Sequence, residues 1–386
     1  MTFSERKRDE TRTPICVLSL SLDRCSLTSG VAPCGATDPA GGECFNTLAT
    51  CPVPQDYQNT ARTYQFYSKG PAVVGLDGIA NVDIYGIRHT PPTVIPGDFG
   101  SRASVSVPIS TWHDNDIGFD PYVATRPYDP ETQGDGLSKF LARNLYYFGR
   151  PMTLSEGFLS DGYDEINFQV RNYVVDRIDR RRSGAAVVVG KDPLRLAASK
   201  SARVPPETTG ELQAAINASS VDVRVDVATA PQYQSYQYLR IDDEVIEFTY
   251  AANGIFNIVS RAQAGTSQVD HSAQSGVQAV WHFEGHPYDA IKELLAFTEI
   301  DPAFIPVSDW DDERDNNLPG FEVETYLTAP NGVEKLLREL LLQTWSAMWW
   351  DELSQQIKLR RMSPYIPTDI VIGPDQLLPH SIVTGK

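Results

Sequence analysis

The sequence contains no apolar run of about eighteen residues, so it predicts no membrane-spanning helix. It also lacks a basic stripe with interleaved aromatics. Fifty acidic residues stand against 33 basic ones, a net charge of −17. That balance excludes a surface built to grip a phosphate backbone. The one basic run in the body of the chain, Arg180-Arg181-Arg182, reads as a solvated loop. The opening residues Met1 to Arg8 are polar and carry no apolar stretch of a secretion signal, so folding in a reducing cytosol is expected. No H-E-x-x-H, no G-x-S-x-G and no phosphate loop occurs, so no standard catalytic signature is present. No internal repeat or low-complexity tract is found.

The chain that remains is a globular one of 386 residues, 41% hydrophobic, with room for two or three domains. Its 27 Gly, 27 Pro, 17 Tyr and 15 Phe suit many strands and turns. Apolar and polar residues alternate over Cys16–Leu22, Val82–Ile87, Ala103–Val107 and Ile166–Val170, predicting half-buried strands; Ala185–Val189 adds a more apolar one. A turn is expected at Gly97–Gly100 and a helical piece at Leu137–Tyr147. Further on, Glu211–Asn217 reads as a short helix. Val221–Val227, Tyr238–Phe248, Phe256–Ser260 and Val277–Trp281 read as a small barrel or sandwich. Helical spacing returns at Asp289–Phe297 and Val333–Leu342, the latter with Asn331 as its expected N-cap. Met348–Leu353 and Gln356–Arg360 close on a strand pair. The fold class expected is mainly β with α+β parts.

Five cysteines occur, and four of them fall between residues 25 and 51 in the pattern C-x8-C-x9-C-x6-C: Cys25, Cys34, Cys44 and Cys51. The stretch from Cys25 to about Thr60 has no apolar periodicity from which to build a core. Three readings compete. Four thiolates can wrap an iron–sulfur cluster. They can also bind structural zinc, although zinc sites usually show close C-x2–4-C pairs, which are missing here. Two disulfides are the third reading, against which a cytosolic origin argues. Cys16 lies apart on a predicted strand and reads as a small buried apolar residue.

From Cys25 onward the chain resembles tail hub proteins of long-tailed bacteriophages. The resemblance is carried by Cys25–Cys34, Glu43–Thr47 and Thr50-Cys51, then by Phe119–Tyr122, Arg126–Pro130 and Gly149–Met152. Lys191–Leu196, Gly210–Leu212, Arg261–Thr266 with His271, Trp349–Glu352 and Ile357–Arg360 follow in the same order. In the Arg261 turn, Ala262 stands where that family usually has glycine. The C-x8-C opening and C-x6-C closing are similar to the cluster-binding segment of lambda-type tail tip proteins.

The resemblance implies hub-type β-barrel domains, with a first domain over 1–210 that holds a cysteine-rich segment at 25–60. It implies an inserted small β domain over 218–282 and a second, α+β hub domain over 283–386. It further implies a structural [4Fe–4S] cluster on Cys25, Cys34, Cys44 and Cys51, with Zn2+ as the alternative. The chain would assemble in the host bacterial cytoplasm and end in the virion as a homotrimer at the tail tip. Its partners would be a distal tail protein, a tape measure protein and receptor-binding fibres. Genomic DNA would pass an acidic channel without specific binding, because like charges repel. Family members often run longer, so residues past Lys386 are expected in the natural chain.

Bland readings cover most other candidates. His282 and His286 have the i, i+4 spacing of a helical metal pair, but Gly285 and Pro287 argue against a helix there. Asp309–Glu313 lacks the spacing and glycine of a calcium loop and reads as a solvated loop. Asp242-Asp243-Glu244 reads as a hairpin turn. Trp345, Trp349 and Trp350 are expected to pack the last domain. The competing functional class is a tail-tip cell-wall hydrolase, for which no carboxylate pair or metal cleft can be named.

Overall fold

A computed structural model describes residues 13–36, 44–69, 79–97, 103–112, 122, 135–159, 168–352 and 354–362. Strand β1 (Thr13–Cys25) starts the fold. Cys16, Leu18, Leu20 and Leu22 share one face and are buried in the main core. Ile15 and Val17, on the other face, pack with Tyr67 and Phe168. With both faces covered in its first half, β1 becomes a central strand.

Antiparallel neighbours flank it: β2 (Asn59–Tyr67) on one side and β6 (Pro151–Leu159) on the other. Adding β3 (Ile79–Ala80), β4 (Arg88–Thr90), β5 (Ser104–Ile109), β7 (Gln169–Arg180) and β8 (Ala186–Lys191) gives the order β3-β2-β1-β6-β7-β8-β5-β4. The sheet curls until its two sides meet. Val82 N–H donates to Tyr67 O (3.1 Å), Asp83 N–H to Pro108 O (3.0 Å) and Ser110 N–H to Asn81 O (2.8 Å). Residues 81–83 thus join β2 to β5.

The strand expected over Val82–Ile87 is instead a 3-10 turn at Ile84–Gly86. The Asp83 side chain accepts from Tyr85 N–H and diverts the backbone from a ladder. Helix α1 (Gly136–Arg143), capped by Asp135, covers one face of the curled sheet. Its Phe140 meets Tyr64 and Phe66 edge-on at 5.1 and 5.6 Å. The helix stops at Arg143, short of the expected Tyr147. The expected turn at Gly97–Gly100 lies largely outside the described residues, as does Phe119–Pro130 apart from Tyr122.

A second sheet follows, with order β10-β15-β12-β13-β14-β11. Its strands are β10 (Gly210–Glu211), β11 (Asp222–Arg224), β12 (Tyr238–Ile241), β13 (Glu244–Ala252), β14 (Ile255–Gln263) and β15 (Gly276–Gly285). It has its own core of Val223, Tyr233, Leu239, Ile246, Phe248 and Phe256, among others. The expected helix over Glu211–Asn217 does not form. Leu212 N–H bonds Ser275 O, Gln213 N–H bonds Arg224 O and Ile216 bridges His271. Burial of Leu212 and Ile216 against the sheet outweighs a weak local propensity. The alternation of Val221–Val227 yields only three strand residues, because Val221 and Val227 lie beyond the ladder and are exposed.

Strand β15 serves two cores. Its first half pairs with β10 and β12 and sends Val277 and Ala279 into the small core. Its second half pairs with β16 (Val323–Leu327) and sends Trp281 and Phe283 into the main one.

After β15 come α2 (Pro287–Ala296), α3 (Val307–Asn317), α4 (Val333–Thr344) and the hairpin β18 (Ser346–Asp351) with β19 (Gln356–Arg361). Asn331 is not the cap of α4. It sits in β17 (Asn331–Gly332), which pairs with β9 (Arg203–Val204), and Gly332 takes the N-cap position. The acidic stretch Asp309–Glu313 is helical rather than a loop, since Trp310 anchors it by donating from Nε1 to Ile357 O at 3.0 Å. Trp350 is fully buried, whereas Trp345, in a left-handed C-cap at φ 51°, is half exposed. A single buried cluster takes side chains from the first sheet and from this last region. The polar seam between them includes Tyr173 O–H to Glu352 (3.1 Å), Asn172 to Gln355 (2.7 Å) and Arg171 to Glu352 (3.2 Å). The molecule is mainly β with α+β parts.

Candidate functional site

The cysteine segment is a long excursion from the end of one hairpin. Cys25 is the last residue of β1 and stands opposite Asn59, the first of β2. Ser26 N–H to Gln58 O (2.9 Å) closes the neck. Beyond the neck, the buried residues described are Ser29, Cys44, Asn46 and Thr47, while Val31 and Leu48 are exposed. Its described residues form no apolar core of their own.

Polar contacts hold it instead, and Asn46 is their centre. Its backbone takes a left-handed φ of 58°, which asparagine tolerates better than most residues. Its carbonyl accepts from Cys25 N–H at 2.7 Å. Its side-chain amide donates to Cys25 O (3.4 Å) and Leu27 O (3.2 Å). Its Oδ1 accepts from the Cys44 thiol (3.6 Å) and from Tyr122 O–H (2.8 Å). Tyr122 Oη in turn accepts from Ser29 N–H at 2.7 Å. Cys51 caps a 3-10 turn at Leu48–Thr50. Gly35 N–H donates to Asp56 at 2.8 Å, next to Cys34.

All five cysteines are free thiols. Burial first, and then the proximity of Cys44, Cys25 and Cys34, push the Cys51 thiol above its usual range, against a hydrogen bond from the Val53 backbone. The other three sulfurs therefore gather close enough to Cys51 to be felt electrostatically. No three of the four fall within 4.8 Å of one another, however; among the described residues the group that does so is His282, Glu284 and Glu324. One zinc with four bonds of about 2.3 Å would hold its sulfurs about 3.8 Å apart. Cys16 stands apart, buried in the main core, and burial drives its thiol far above the usual range.

Three polar atoms in or beside the segment are buried without a hydrogen-bond partner among the described residues: Arg24 Nη1, Ser29 Oγ and Tyr57 Oη. Tyr57 is pushed up to about 12, by burial first and then by Asp23, Cys25 and Cys51. A neutral phenol beside two cysteines can donate a hydrogen bond to a sulfur. Four thiols and unpaired donors fit a cluster that carries negative charge on sulfur. Asn46, Tyr57 and Tyr122 escaped the sequence reading. Their only signals were the Asn46 position between two cysteines and a lone Tyr122 in the Phe119–Tyr122 motif.

A second polar knot sits in the small sheet. Glu244, read as a turn residue, is fully buried. Its carboxylate accepts from Arg261 Nε and Nη2 (2.6 Å each), Val269 N–H (3.0 Å), Ala262 N–H (3.2 Å) and His271 Nε2 (3.0 Å). His271 Nδ1 meets Asp242 at 2.7 Å. Burial alone would raise the Glu244 pKa. The bonds from Arg261, Val269, His271 and Ala262 outweigh it and bring it down to about 2. Ala262 reaches its place with φ 57°, a conformation natural to glycine. This knot fixes a turn and has no open chemistry.

His286 and Glu313 are structural. His286 caps α2 through Nδ1 and bonds Leu318 O at 3.0 Å, so it does not join His282. Glu313 is buried and ties Arg360 (2.5 Å) and the Arg361 N–H (2.8 Å) to α3.

No family model matches the chain, and no curated protein matches it. Among solved structures, a chain described as "Virion of native gene transfer agent (GTA) particle" is similar over 72% of this chain and 83% of its own. The identity is 11% and the TM-score 0.21, a level at which the likeness carries no argument. No helix among the described residues is long and apolar enough to cross a membrane.

Proposed function

We propose that the chain is a structural hub protein of a phage tail tip whose cysteine segment is held by a [4Fe–4S] cluster on Cys25, Cys34, Cys44 and Cys51. The observation that carries this reading is the gathering of three thiols around Cys51 in a segment whose described residues form no apolar core. The cluster supplies cross-links where apolar packing is missing. The protein side supplies the ligands, the Asn46 scaffold and the Tyr57 donor. The ordered run of family-like motifs along the chain supports the hub assignment, as does the curled first sheet with a smaller sheet set after it.

In this reading the chain forms a homotrimeric ring around a DNA channel. A distal tail protein and a tape measure protein adjoin one side, and receptor-binding fibres the other. Anaerobic purification tests the cluster. The protein should be brown with about four irons per chain. A colourless preparation with one zinc per chain would replace the cluster by zinc. A monomer at all concentrations, with no binding to tail proteins from the same particle, would remove the hub role.

A further inference from the structure

Strand β15 alternates at its C-terminal end. Trp281 and Phe283 point into the main core, while His282 and Glu284 lie on the opposite face. On β16 the register sets Tyr326 against His282 and Glu324 against Glu284. Cross-strand partners in an antiparallel pair project from the same face. The ligand atoms of His282, Glu284 and Glu324 all lie within 4.8 Å of one another.

Two further observations mark this trio. The His282 ring is held between aromatics, stacked on Tyr326 at 4.2 Å and edge-on to Tyr238 at 5.1 Å. Packing rather than chance therefore directs its Nε2, which lies 3.4 Å from Glu324. Glu284 and Glu324 are like charges set directly opposite, an arrangement that costs stability. Among the described residues neither has a lysine or arginine partner to neutralise it. A cation between them would turn the repulsion into attraction.

We propose that His282, Glu284 and Glu324 bind one divalent transition-metal ion. One imidazole and two carboxylates suit zinc(II) and its neighbours better than calcium or magnesium, which prefer all-oxygen sites. Three protein ligands leave at least one position open. His282 also lines a cleft of about 400 Å³ with Tyr238, Gln237 and Glu293, so water or an external donor can complete the shell. The site shares no residue with the cysteine segment and stands whether or not a cluster is present there.

The test is a titration of the full chain, purified without oxygen, with zinc(II) by calorimetry and with cobalt(II) by absorption. Expected is one ion per chain at this site and a cobalt spectrum without a thiolate charge-transfer band. Zinc should raise the melting temperature. Affinity should fall about tenfold or more in His282→Gln and in Glu324→Gln, with circular dichroism unchanged. Cys25→Ser should leave this binding intact. Binding whose affinity and stoichiometry are unchanged in His282→Gln, or no binding at millimolar zinc, would each overturn the proposal. Should His282→Gln fail to fold, Glu284→Gln on the exposed rim gives the same readout.

Discussion

Arg261 reaches the fully buried carboxylate of Glu244 with two hydrogen bonds of 2.6 Å, Nε to Oε1 and Nη2 to Oε2. Both partners are almost sealed from water, so neither charge can be solvated if the other is lost. Arg261→Ala should therefore destabilise the small sheet by about 3–5 kcal/mol. Urea unfolding followed by the fluorescence of the full chain measures it. A loss under about 1 kcal/mol would show that water reaches Glu244.

The same carboxylate gives the stability a pH dependence. Its pKa falls on folding from 4.5 to about 2, so the unfolded chain binds more protons. The contribution is fully present above pH 4.5 and disappears as the pH falls toward 2. It amounts to about 3 kcal/mol. Melting curves of the wild type should drop across that window more steeply than those of Glu244→Gln. Parallel curves would place the acid sensitivity elsewhere.

Ala262 occupies a left-handed conformation with φ 57°. A Cβ there costs about 1–2 kcal/mol, and glycine adds about 0.5–1 kcal/mol of chain entropy. Ala262→Gly should then stabilise by about 1 kcal/mol, read as a higher denaturant midpoint. An unchanged or lower midpoint would mean that the turn relaxes around alanine.

Cysteine replacements should sort cleanly. Cys25→Ser, Cys34→Ser, Cys44→Ser and Cys51→Ser should each strip iron from anaerobically purified protein. Cys16→Ala should keep it, because that thiol is buried in the apolar core and held in its protonated form. Equal iron loss in Cys16→Ala would undo the ligand assignment.

Tyr57 offers a finer readout. If its hydroxyl donates to a thiolate or sulfide, Tyr57→Phe should keep the iron and lower the reduction potential, since hydrogen bonds favour the more negative reduced state. An unchanged potential would detach Tyr57 from the site.

Much of the strand pattern was legible because burial has a short period. The alternation from Cys16 to Leu22 marks β1, and Tyr238–Phe248 marks β12, a turn and β13. What escaped depends on distant partners. Glu211–Asn217 has helical composition, yet Ile216 is claimed by His271, far along the chain. Asp309–Glu313 looks solvated until Trp310 finds the Ile357 carbonyl. At the cysteine segment, residue type alone pointed to the four sulfurs. Asn46 and Tyr57 could not be read, because an amide or a phenol gains its role only from neighbours brought by the fold.

The ten residues from Gly276 to Gly285 form one uninterrupted strand that belongs to both hydrophobic cores. A flexible tether would let the smaller sheet swing freely; a shared strand does not. Any tilt of that sheet must travel along the backbone and shear the Trp281–Leu327 to Gly285–Val323 ladder. A pull applied at its outer edge would thus arrive at the main body as strain instead of being absorbed at a joint.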